Sequence, residues 1–356
     1  MNIFHKLSNK NYIQETANAV SLIFDIPEHL KDNFSFKAGQ YVTLKTTIEA
    51  KEIRRSYSIC SSPNSGELKV AIKRVENGVF STYAISRLKT GDVIEVHEPE
   101  GKFILEPTRS TNYLGIVAGS GITPVLSMIK TVLQLEPSSS FTLIYGNKSS
   151  DETMFKTELD ALSLAYDTRF NLEYVFSRQN EEGALFGRID EGHTNYFIKN
   201  IYKNWSFNTA FLCGPEEMIK TVSTTLKENH YKESQILFEL FTASINEESS
   251  SELKDGQTEV TVLLDDEELC FTMNQKDNIL AAALRNDVDA PYSCQGGVCS
   301  SCLGKVTQGT AVMVKNSILT DDEVNEGFIL TCQAHPTSSK ISIDFDDMYI
   351  TIYNII

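Results

Sequence analysis

The sequence predicts a multi-domain chain that combines a β fold, an α/β fold and a separate C-terminal domain. The chain has 356 residues, which is more than the roughly 100–200 residues of a typical single domain. The pattern of apolar residues changes from short strand-like runs to strand–helix alternation near residue 112. The charge also changes, because residues 251–356 carry 17 acidic and only 6 basic side chains within a chain whose total net charge is −16.

Residues 1–108 are predicted to form a β-barrel or a β-sandwich. Runs of branched and aromatic residues alternate there with turn signals such as Glu76-Asn77-Gly78, a pattern typical of all-β domains. One short helix is expected at residues 81–88. The predicted strands are residues 19–26, 40–47, 56–60, 68–75 and 93–97.

Residues 109–241 are predicted to form an α/β domain with a parallel sheet, because strand and helix patterns alternate there. The predicted strands are residues 113–118, 141–145, 172–177 and 210–213, and the predicted helices are residues 124–135 and 153–164. The polar, Ser- and Glu-rich stretch 242–257 is predicted to be a linker. A long surface loop would have a similar composition, but structureless loops of this length are uncommon. Residues 258–356 would then form the third domain.

Composition excludes several classes of function. A net charge of −16 argues against a general nucleic-acid binder and against a polybasic membrane anchor. No apolar run approaches the roughly 20 residues of a membrane helix, and residues 1–10 lack the pattern of a signal peptide. We therefore expect a cytoplasmic protein, in which seven cysteines favour metal or catalytic use over a disulfide framework.

The C-terminal domain contains a cysteine motif. Cys294, Cys299 and Cys302 have the C-x4-C-x2-C spacing of a plant-type [2Fe–2S] loop, and Cys332 follows as a fourth ligand. Zinc would be the alternative metal, but it usually takes two separate cysteine knuckles, and only one tight group is present. A Rieske centre would need two histidines, and His335 stands alone here.

The cysteine motif also contains two glycines, and other cysteines lie outside it. Gly296 and Gly297 are expected to permit positive φ angles and a close approach of the backbone to the cluster. Cys60 and Cys270 lie in strand-like runs and are expected to be core residues. Residues 259–347, with a predicted helix at 278–286, resemble a plant-type ferredoxin. The resemblance implies a β-grasp fold.

A second motif, Arg55-Ser-Tyr57-Ser58, lies in the β-rich domain. Together with the later turn and the glycines around it, the motif resembles the flavin barrel of the ferredoxin–NADP⁺ reductase family. This resemblance implies a Greek-key barrel in which Arg55 pairs with the FAD pyrophosphate, Tyr57 stacks on the isoalloxazine and Ser58 approaches flavin N5. An exposed arginine and a core tyrosine are the alternative. The turn of Gly78, Val79, Phe80 and Ser81 opens the short helix, and its free N–H groups and the Ser81 hydroxyl would also hold the pyrophosphate.

A third motif follows the first predicted strand of the α/β domain. It is Gly119-Ser120-Gly121-Ile122-Thr123-Pro124, in which Pro124 replaces the third glycine of the common dinucleotide fingerprint. This G-x-G-x-T-P form is similar to that of the same reductase family. The resemblance implies that the loop cradles the nicotinamide nucleotide diphosphate and places Thr123 near the nicotinamide.

The same resemblance extends to Cys213-Gly214-Pro215, which ends a later strand and implies a place for Cys213 near the site of hydride transfer. Ser177 and Arg178 resemble the residues that bind the 2′-phosphate of NADPH, although NADH remains possible and Arg178 could be an ordinary surface residue. Phe241 could cover the flavin or belong to the core.

The order of these modules predicts an NAD(P)H-dependent oxidoreductase. A nicotinamide delivers two electrons as hydride, a [2Fe–2S] cluster accepts one at a time, and flavin does both. We expect an iron–sulfur flavoprotein reductase in which Ser58 and Cys213 serve hydride transfer and a separate oxygenase receives the electrons. Another acceptor, such as a hybrid-cluster protein or a ring-hydroxylating oxygenase, is the first alternative. A non-redox, zinc-bearing nucleotide-binding scaffold is an alternative of a different class.

Overall fold

The computed structural model describes residues 4–108, 110–241 and 256–346. Residues Phe4–Leu240 form one compact unit, and the described residues from Phe241 onward belong to a second. The predicted linker at 242–257 lies outside the described residues up to position 255, and a strand begins at Gln257. The predicted boundaries at residues 108 and 241 stay predictions. Across the described ranges, no helix is long and apolar enough to cross a membrane.

The first part of the larger unit is a six-stranded antiparallel sheet in the order β4-β3-β6-β1-β2-β5. Ile59 pairs with Val70, and Cys60 N–H donates to Lys69 O at 2.8 Å. These contacts join the two outer strands and close the sheet into a barrel, which confirms the Greek-key prediction. The strands are β1 (Phe4–Thr16), β2 (Ala19–Asp25), β3 (Tyr41–Ile48), β4 (Lys51–Ser58), β5 (Leu68–Lys73) and β6 (Val93–His97), and the helix α1 is Val79–Ser86.

The barrel core follows from the alternation of side chains along the strands. Val20, Leu22 and Phe24 of β2 point inward and are at most 3% exposed, as period-two geometry requires. The predicted core position of Cys60 is confirmed, since its side chain is fully buried. The long strand β1 was not predicted.

The second part of the larger unit is a six-stranded parallel sheet in the order β10-β9-β8-β7-β11-β12. The chain runs outward from β7 to β10 on one side and then returns to β11 and β12 on the other, so the strand order reverses beside β7. Ligands bind at such switch points in α/β sheets, at the carboxyl ends of the strands. The strands are β7 (Asn112–Ala118), β8 (Ser140–Asn147), β9 (Phe170–Phe176), β10 (Ala184–Phe186), β11 (Thr209–Cys213) and β12 (Ile236–Glu239). The helices are α2 (Ile122–Leu135), α3 (Lys156–Ala165), α4 (Glu191–Tyr196) and α5 (Glu216–Glu228).

The second unit contains a five-stranded mixed sheet in the order β14-β13-β19-β15-β17 and a two-stranded sheet of β16 and β18. Helix α6 packs on this sheet through Ile279, Leu280 and Ala283, which are buried. This arrangement confirms the predicted β-grasp fold. Its strands are β13 (Gln257–Leu264), β14 (Glu267–Asn274), β15 (Leu303–Gln308), β16 (Ala311–Met313), β17 (Phe328–Leu330), β18 (Ala334–Pro336) and β19 (Lys340–Asp344), with helices α6 (Ile279–Arg285) and α7 (Asp321–Asn325).

The prediction that Cys270 is a core residue is wrong. Cys270 is exposed, because β14 is an edge strand and Cys270 lies on its solvent-facing side. Its thiol instead lies 3.6 Å from the hydroxyl of Thr261 on the neighbouring strand.

Candidate functional site

The predicted flavin motif lies at the end of β4. Tyr57 is half-buried, and its ring centroid lies 5.6 Å from that of Phe80. Arg55 is exposed, and its guanidinium donates to the Arg54 carbonyl at 2.6 Å. Desolvation raises the pKa of Tyr57, while the positive charge of Arg55 acts in the opposite direction. The structure therefore brings the strand motif and the Gly78–Ser81 turn together, with Arg55 beside the phenol.

The turn before α1 is tight. A Cβ on Gly78 would lie 2.5 Å from Ser81 Oγ, so only glycine fits there without a shift. Ser81 Oγ accepts from Val75 N–H at 3.1 Å and donates to the Gly78 carbonyl at 3.3 Å. The Ser81 hydroxyl therefore already has partners within the turn. The first N–H groups of α1, including those of Val79 and Phe80, have no intrahelical acceptor and can face an anion.

The predicted nucleotide loop follows β7 at the switch point of the sheet. Gly119 has a φ of +55°. A Cβ on Gly121 would lie 2.1 Å from the Cys213 carbonyl oxygen, so the loop packs directly against the end of β11. Thr123 is buried, and its hydroxyl donates to the Ser120 carbonyl at 3.0 Å. The structure thus places the two nucleotide motifs side by side, with Gly214 and Pro215 leading into α5.

Glu239 on β12 completes a cluster that the sequence reasoning missed. Ser58 Oγ donates to Glu239 Oε2 at 3.3 Å, and Glu239 is the direct neighbour of Cys213 in the parallel strand pair. Desolvation raises the pKa of Glu239 to about 8, and the hydrogen bond from Ser58 acts against that rise. The pKa of the fully buried Cys213 is raised first by burial and then by the charge of Glu239. The sequence gives no motif around Glu239, and the neighbouring Phe241 is the only residue of this run with a predicted role.

Lys73 is a second residue that the sequence reasoning missed. It ends β5 of the barrel, and its Nζ lies 3.7 Å from the position that a Cβ on Gly119 would take. Desolvation lowers the pKa of Lys73, while Glu152 acts to raise it and Lys148 lowers it further. The barrel therefore places an ammonium group beside the nucleotide loop. In the sequence, only the position of Lys73 shortly before the Gly78 turn could have indicated a role near the cofactors.

The predicted 2′-phosphate residues lie two strands away from that loop. Ser177 follows β9, and its N–H donates to the Asn147 carbonyl at 2.9 Å. Arg178 is exposed, and its N–H donates to the Lys148 carbonyl at 2.9 Å. Both residues lie at the carboxyl edge of the sheet. Phe241 is 37% exposed and is not a core residue.

The four cysteines of the C-terminal motif form two hydrogen-bonded pairs. Cys299 pairs with Cys294, and Cys302 pairs with Cys332. The pKa of Cys294 is lowered to about 6, first because the Cys299 thiol hydrogen-bonds to it, and that of Cys332 is lowered first by Cys302. Two irons bridged by two sulfides require two thiolates each, so this division into two pairs fits a [2Fe–2S] cluster. Among the described residues, no three His, Cys, Asp or Glu side chains are placed to hold a single metal ion.

The glycines of this loop differ from expectation. Gly297 has a positive φ of +71°, as predicted, but the other positive φ belongs to Gln295, at +52°, and not to Gly296. Gly296 instead donates its N–H to Cys294 Sγ at 3.3 Å, and a Cβ there would meet only the Cys294 carbonyl oxygen, at 3.8 Å. The turn is therefore made one residue earlier, and Gly296 presents an amide to a thiolate.

Three family models match the chain. An oxidoreductase FAD-binding domain matches residues 5–104, an oxidoreductase NAD-binding domain residues 116–224, and a 2Fe-2S iron–sulfur cluster binding domain residues 262–337. FAD, a nicotinamide nucleotide and a [2Fe–2S] cluster are therefore the cofactors, and the zinc alternative is rejected.

Relatives match over nearly the whole chain. The 1,2-phenylacetyl-CoA epoxidase of Escherichia coli has a component that is 40% identical over 97% of this chain and 99% of its own. The ferredoxin reductase component of a 3-ketosteroid-9-alpha-monooxygenase from Rhodococcus rhodochrous is 30% identical over 94% of both. The solved structure of phthalate dioxygenase reductase has a TM-score of 0.62 at 23% identity and covers 96% of this chain and 98% of its own. This last similarity concerns the fold alone.

Proposed function

This chain belongs to the family of oxygenase reductase components that join FAD-binding, NAD-binding and 2Fe-2S domains, and we propose that it supplies electrons to a 1,2-phenylacetyl-CoA epoxidase. Members of this family pass electrons from NAD(P)H through FAD and the cluster to a separate oxygenase, and this chain is such an oxidoreductase. The observation that carries the proposed acceptor is the 40% identity to the Escherichia coli epoxidase component over 97% of the chain. The ketosteroid relative, at 30%, supports it less.

We infer that hydride transfer takes place beside Ser58, Cys213 and Glu239. When bound, FAD can take a hydride and release its electrons singly. The fully buried Cys213 excludes water from this position, and its raised pKa keeps the thiol neutral. The Ser58 hydroxyl is oriented by its hydrogen bond to Glu239. Hydride transfer needs no general base, so these groups serve to bind, orient and exclude water.

The FAD site is proposed to consist of Arg55, Tyr57 and the first amides of α1. This proposal is supported by the packing of the Tyr57 ring against the Phe80 ring, whose centroids lie 5.6 Å apart. This packing joins the strand that carries Arg55 to the turn before α1. Arg55→Ala should weaken FAD binding by about 1.5–3 kcal/mol, the contribution of a charged hydrogen bond. Lys51→Ala, at the opposite end of the same strand, is the control. Equal FAD affinity of the two variants, measured by fluorescence titration, would exclude the pyrophosphate role of Arg55.

Cys294, Cys299, Cys302 and Cys332 are proposed to hold the cluster. Their support is the arrangement in two pairs and the amide of Gly296 on a thiolate. No two of the seven cysteines are joined by a disulfide. Thiols are kept reduced in the cytosol, so we also propose a cytoplasmic location.

The proposed acceptor is tested by reconstitution. The purified holoprotein, NADPH and the oxygenase components of a phenylacetyl-CoA epoxidase are mixed, and epoxide formation is measured together with NADPH consumption. We expect coupled turnover, which Cys299→Ala should abolish while its FAD content stays at the wild-type level. The oxygenase of a ketosteroid monooxygenase is the control acceptor. Equal or faster electron delivery to that control would contradict the proposed partner.

A further inference from the structure

Gln333 lies directly after the fourth cysteine, and its side-chain amide contacts three acceptors. Its Nε2 lies 3.1 Å from the Cys332 carbonyl oxygen, 3.2 Å from the Gln295 carbonyl oxygen and 3.7 Å from Cys332 Sγ. A carbonyl oxygen can only accept a hydrogen bond. The two carbonyls therefore determine which end of the amide faces them. Nε2 carries two hydrogens for these three acceptors, so Cys332 Sγ shares one N–H donor with a carbonyl oxygen.

The backbone on both sides holds this amide in place. Gln333 N–H donates to the Leu330 carbonyl at 2.8 Å, and its own carbonyl accepts from Val314 N–H at 3.0 Å. The cluster loop is shaped around the side chain as well, because a Cβ on Gly297 would lie 2.9 Å from Gln333 Cγ. The amide is therefore a built contact between the loop and the segment that carries Cys332.

The partner of this amide on the loop is a strained residue. Gln295 adopts a left-handed φ of +52°, a conformation that costs a residue other than glycine free energy and persists only when its surroundings hold it. Its carbonyl accepts the hydrogen bond from Gln333. Gln333 thus ties the strained turn between Cys294 and Gly296 to the fourth cysteine.

We propose that Gln333 is a positioning residue that raises the reduction potential of the [2Fe–2S] cluster through its N–H donor to Cys332 Sγ. The proposal rests on the proposed ligand role of Cys332. Reduction adds one negative charge to the cluster, and a donor to a ligating sulfur stabilises the reduced state more than the oxidised one. Hydrogen bonds to the sulfurs are among the factors that set the potentials of such clusters, and partners of metal ligands orient them.

Two substitutions test the donor. Gln333→Met keeps the length and removes the N–H, and Gln333→Glu keeps the shape but offers only acceptors and a negative charge. Gln308→Met, at an exposed glutamine that ends β15, is the matched control. The midpoint potential of the cluster, followed by redox titration with electron paramagnetic resonance, should become more negative in the order wild type, Met, Glu, and should not change in the control.

This experiment distinguishes an effect of Gln333 on the reduction potential from a purely structural role in the cluster loop. Lower iron content with an unchanged potential of the retained clusters would mean that Gln333 only supports the loop, and this would overturn the proposed effect on potential. A measurement on the wild-type holoprotein covers the case in which the variants lose their clusters. Wild-type holoprotein labelled with ¹⁵N in the glutamine side chains should show hyperfine coupling to the reduced cluster, and the absence of this coupling would overturn the proposed donor. Wild-type protein without any [2Fe–2S] signal would instead overturn the proposed function.

Discussion

Glu239 is a carboxyl group in a poorly solvated position between Ser58 and Cys213. Its pKa is about 8 in the folded protein, against an ordinary value of 4.5. The folded state therefore binds the proton more tightly than the unfolded state does. This proton binding stabilises the fold fully below about pH 4.5, and the stabilisation is lost as the pH rises through about 8.

The substitution Glu239→Gln should remove this dependence on pH. The unfolding temperature of the wild-type holoprotein should fall between about pH 5 and pH 9 by more than that of the variant, since the neutral amide does not ionise. Thermal unfolding followed by circular dichroism measures the difference. Glu228→Gln, an exposed carboxylate on α5, is the control and should keep the wild-type slope. A variant at position 239 with the wild-type slope would contradict the assigned pKa.

Arg178 and Lys73 should have different effects on the two nicotinamide nucleotides. Arg178 lies two strands from the Gly119 loop, at the predicted position of the 2′-phosphate, whereas Lys73 lies beside the loop itself. NADPH and NADH share a diphosphate, and only NADPH has the third phosphate. Arg178→Ala should therefore raise the KM for NADPH alone, and Lys73→Met should raise the KM for both nucleotides by a similar factor.

Steady-state kinetics with each nucleotide decides this point, and FAD content is measured in parallel. Parallel changes in Arg178→Ala would exclude 2′-phosphate binding by that residue. A change for only one nucleotide in Lys73→Met would show that Lys73 does not act on the shared diphosphate.

At the scale of elements, the contact between the loop after β7 and the end of β11 depends on one glycine. The 2.1 Å separation between a Cβ on Gly121 and the Cys213 carbonyl oxygen means that Gly121→Ala must push two backbone segments apart. Overpacking of this kind costs about 1–3 kcal/mol. We expect a lower unfolding temperature and a higher KM for NADPH. Gly192→Ala on α4 is the control, because its Cβ would meet only Asp190 Oδ1 at 3.4 Å; equal effects of the two would refute the contact.

The predictability of the elements depended on where their apolar residues lie. Strand β2 was found because nearly all of its side chains are buried. Strand β1 was missed, because only Leu7 and Asn9 of its 13 residues are buried and most of the others are polar. Strand β4 was predicted only from residue 56, since four of its first five residues are charged and Ile53 alone gives little apolar signal.

The residues of the candidate site were predictable only where their functional partners are close in sequence. Spacing within a motif identified the cysteine, glycine and R-x-Y-S groups, because their partners are near in sequence. Glu239, Lys73 and Gln333 were missed as functional residues. Glu239 meets Ser58 across 181 positions, and Lys73 meets a loop that begins 46 residues later. Only the tertiary fold brings such pairs together, and a single carboxylate, ammonium or amide is not a motif.

At the scale of the whole molecule, the charge is concentrated in the module that carries the cluster. Residues 251–356 hold 17 acidic and 6 basic side chains, so this segment carries −11 of the total net charge of −16. An oxidised [2Fe–2S] cluster with four thiolates adds a further charge of about −2. Fields of this kind accelerate encounter with a partner of opposite charge more than they tighten the complex.

We therefore predict that electrons leave the acidic domain for a partner with a basic docking face, and that salt slows this step. Exposed charges are screened over about 8 Å at physiological ionic strength. The rate at which the oxygenase is reduced should fall as salt rises, whereas reduction of the cluster by NADPH within the chain should hardly change, because it involves no encounter with a second protein. Stopped-flow measurements of both steps over one salt series separate them. A partner-reduction rate that does not depend on salt would leave the acidity as a determinant of solubility only.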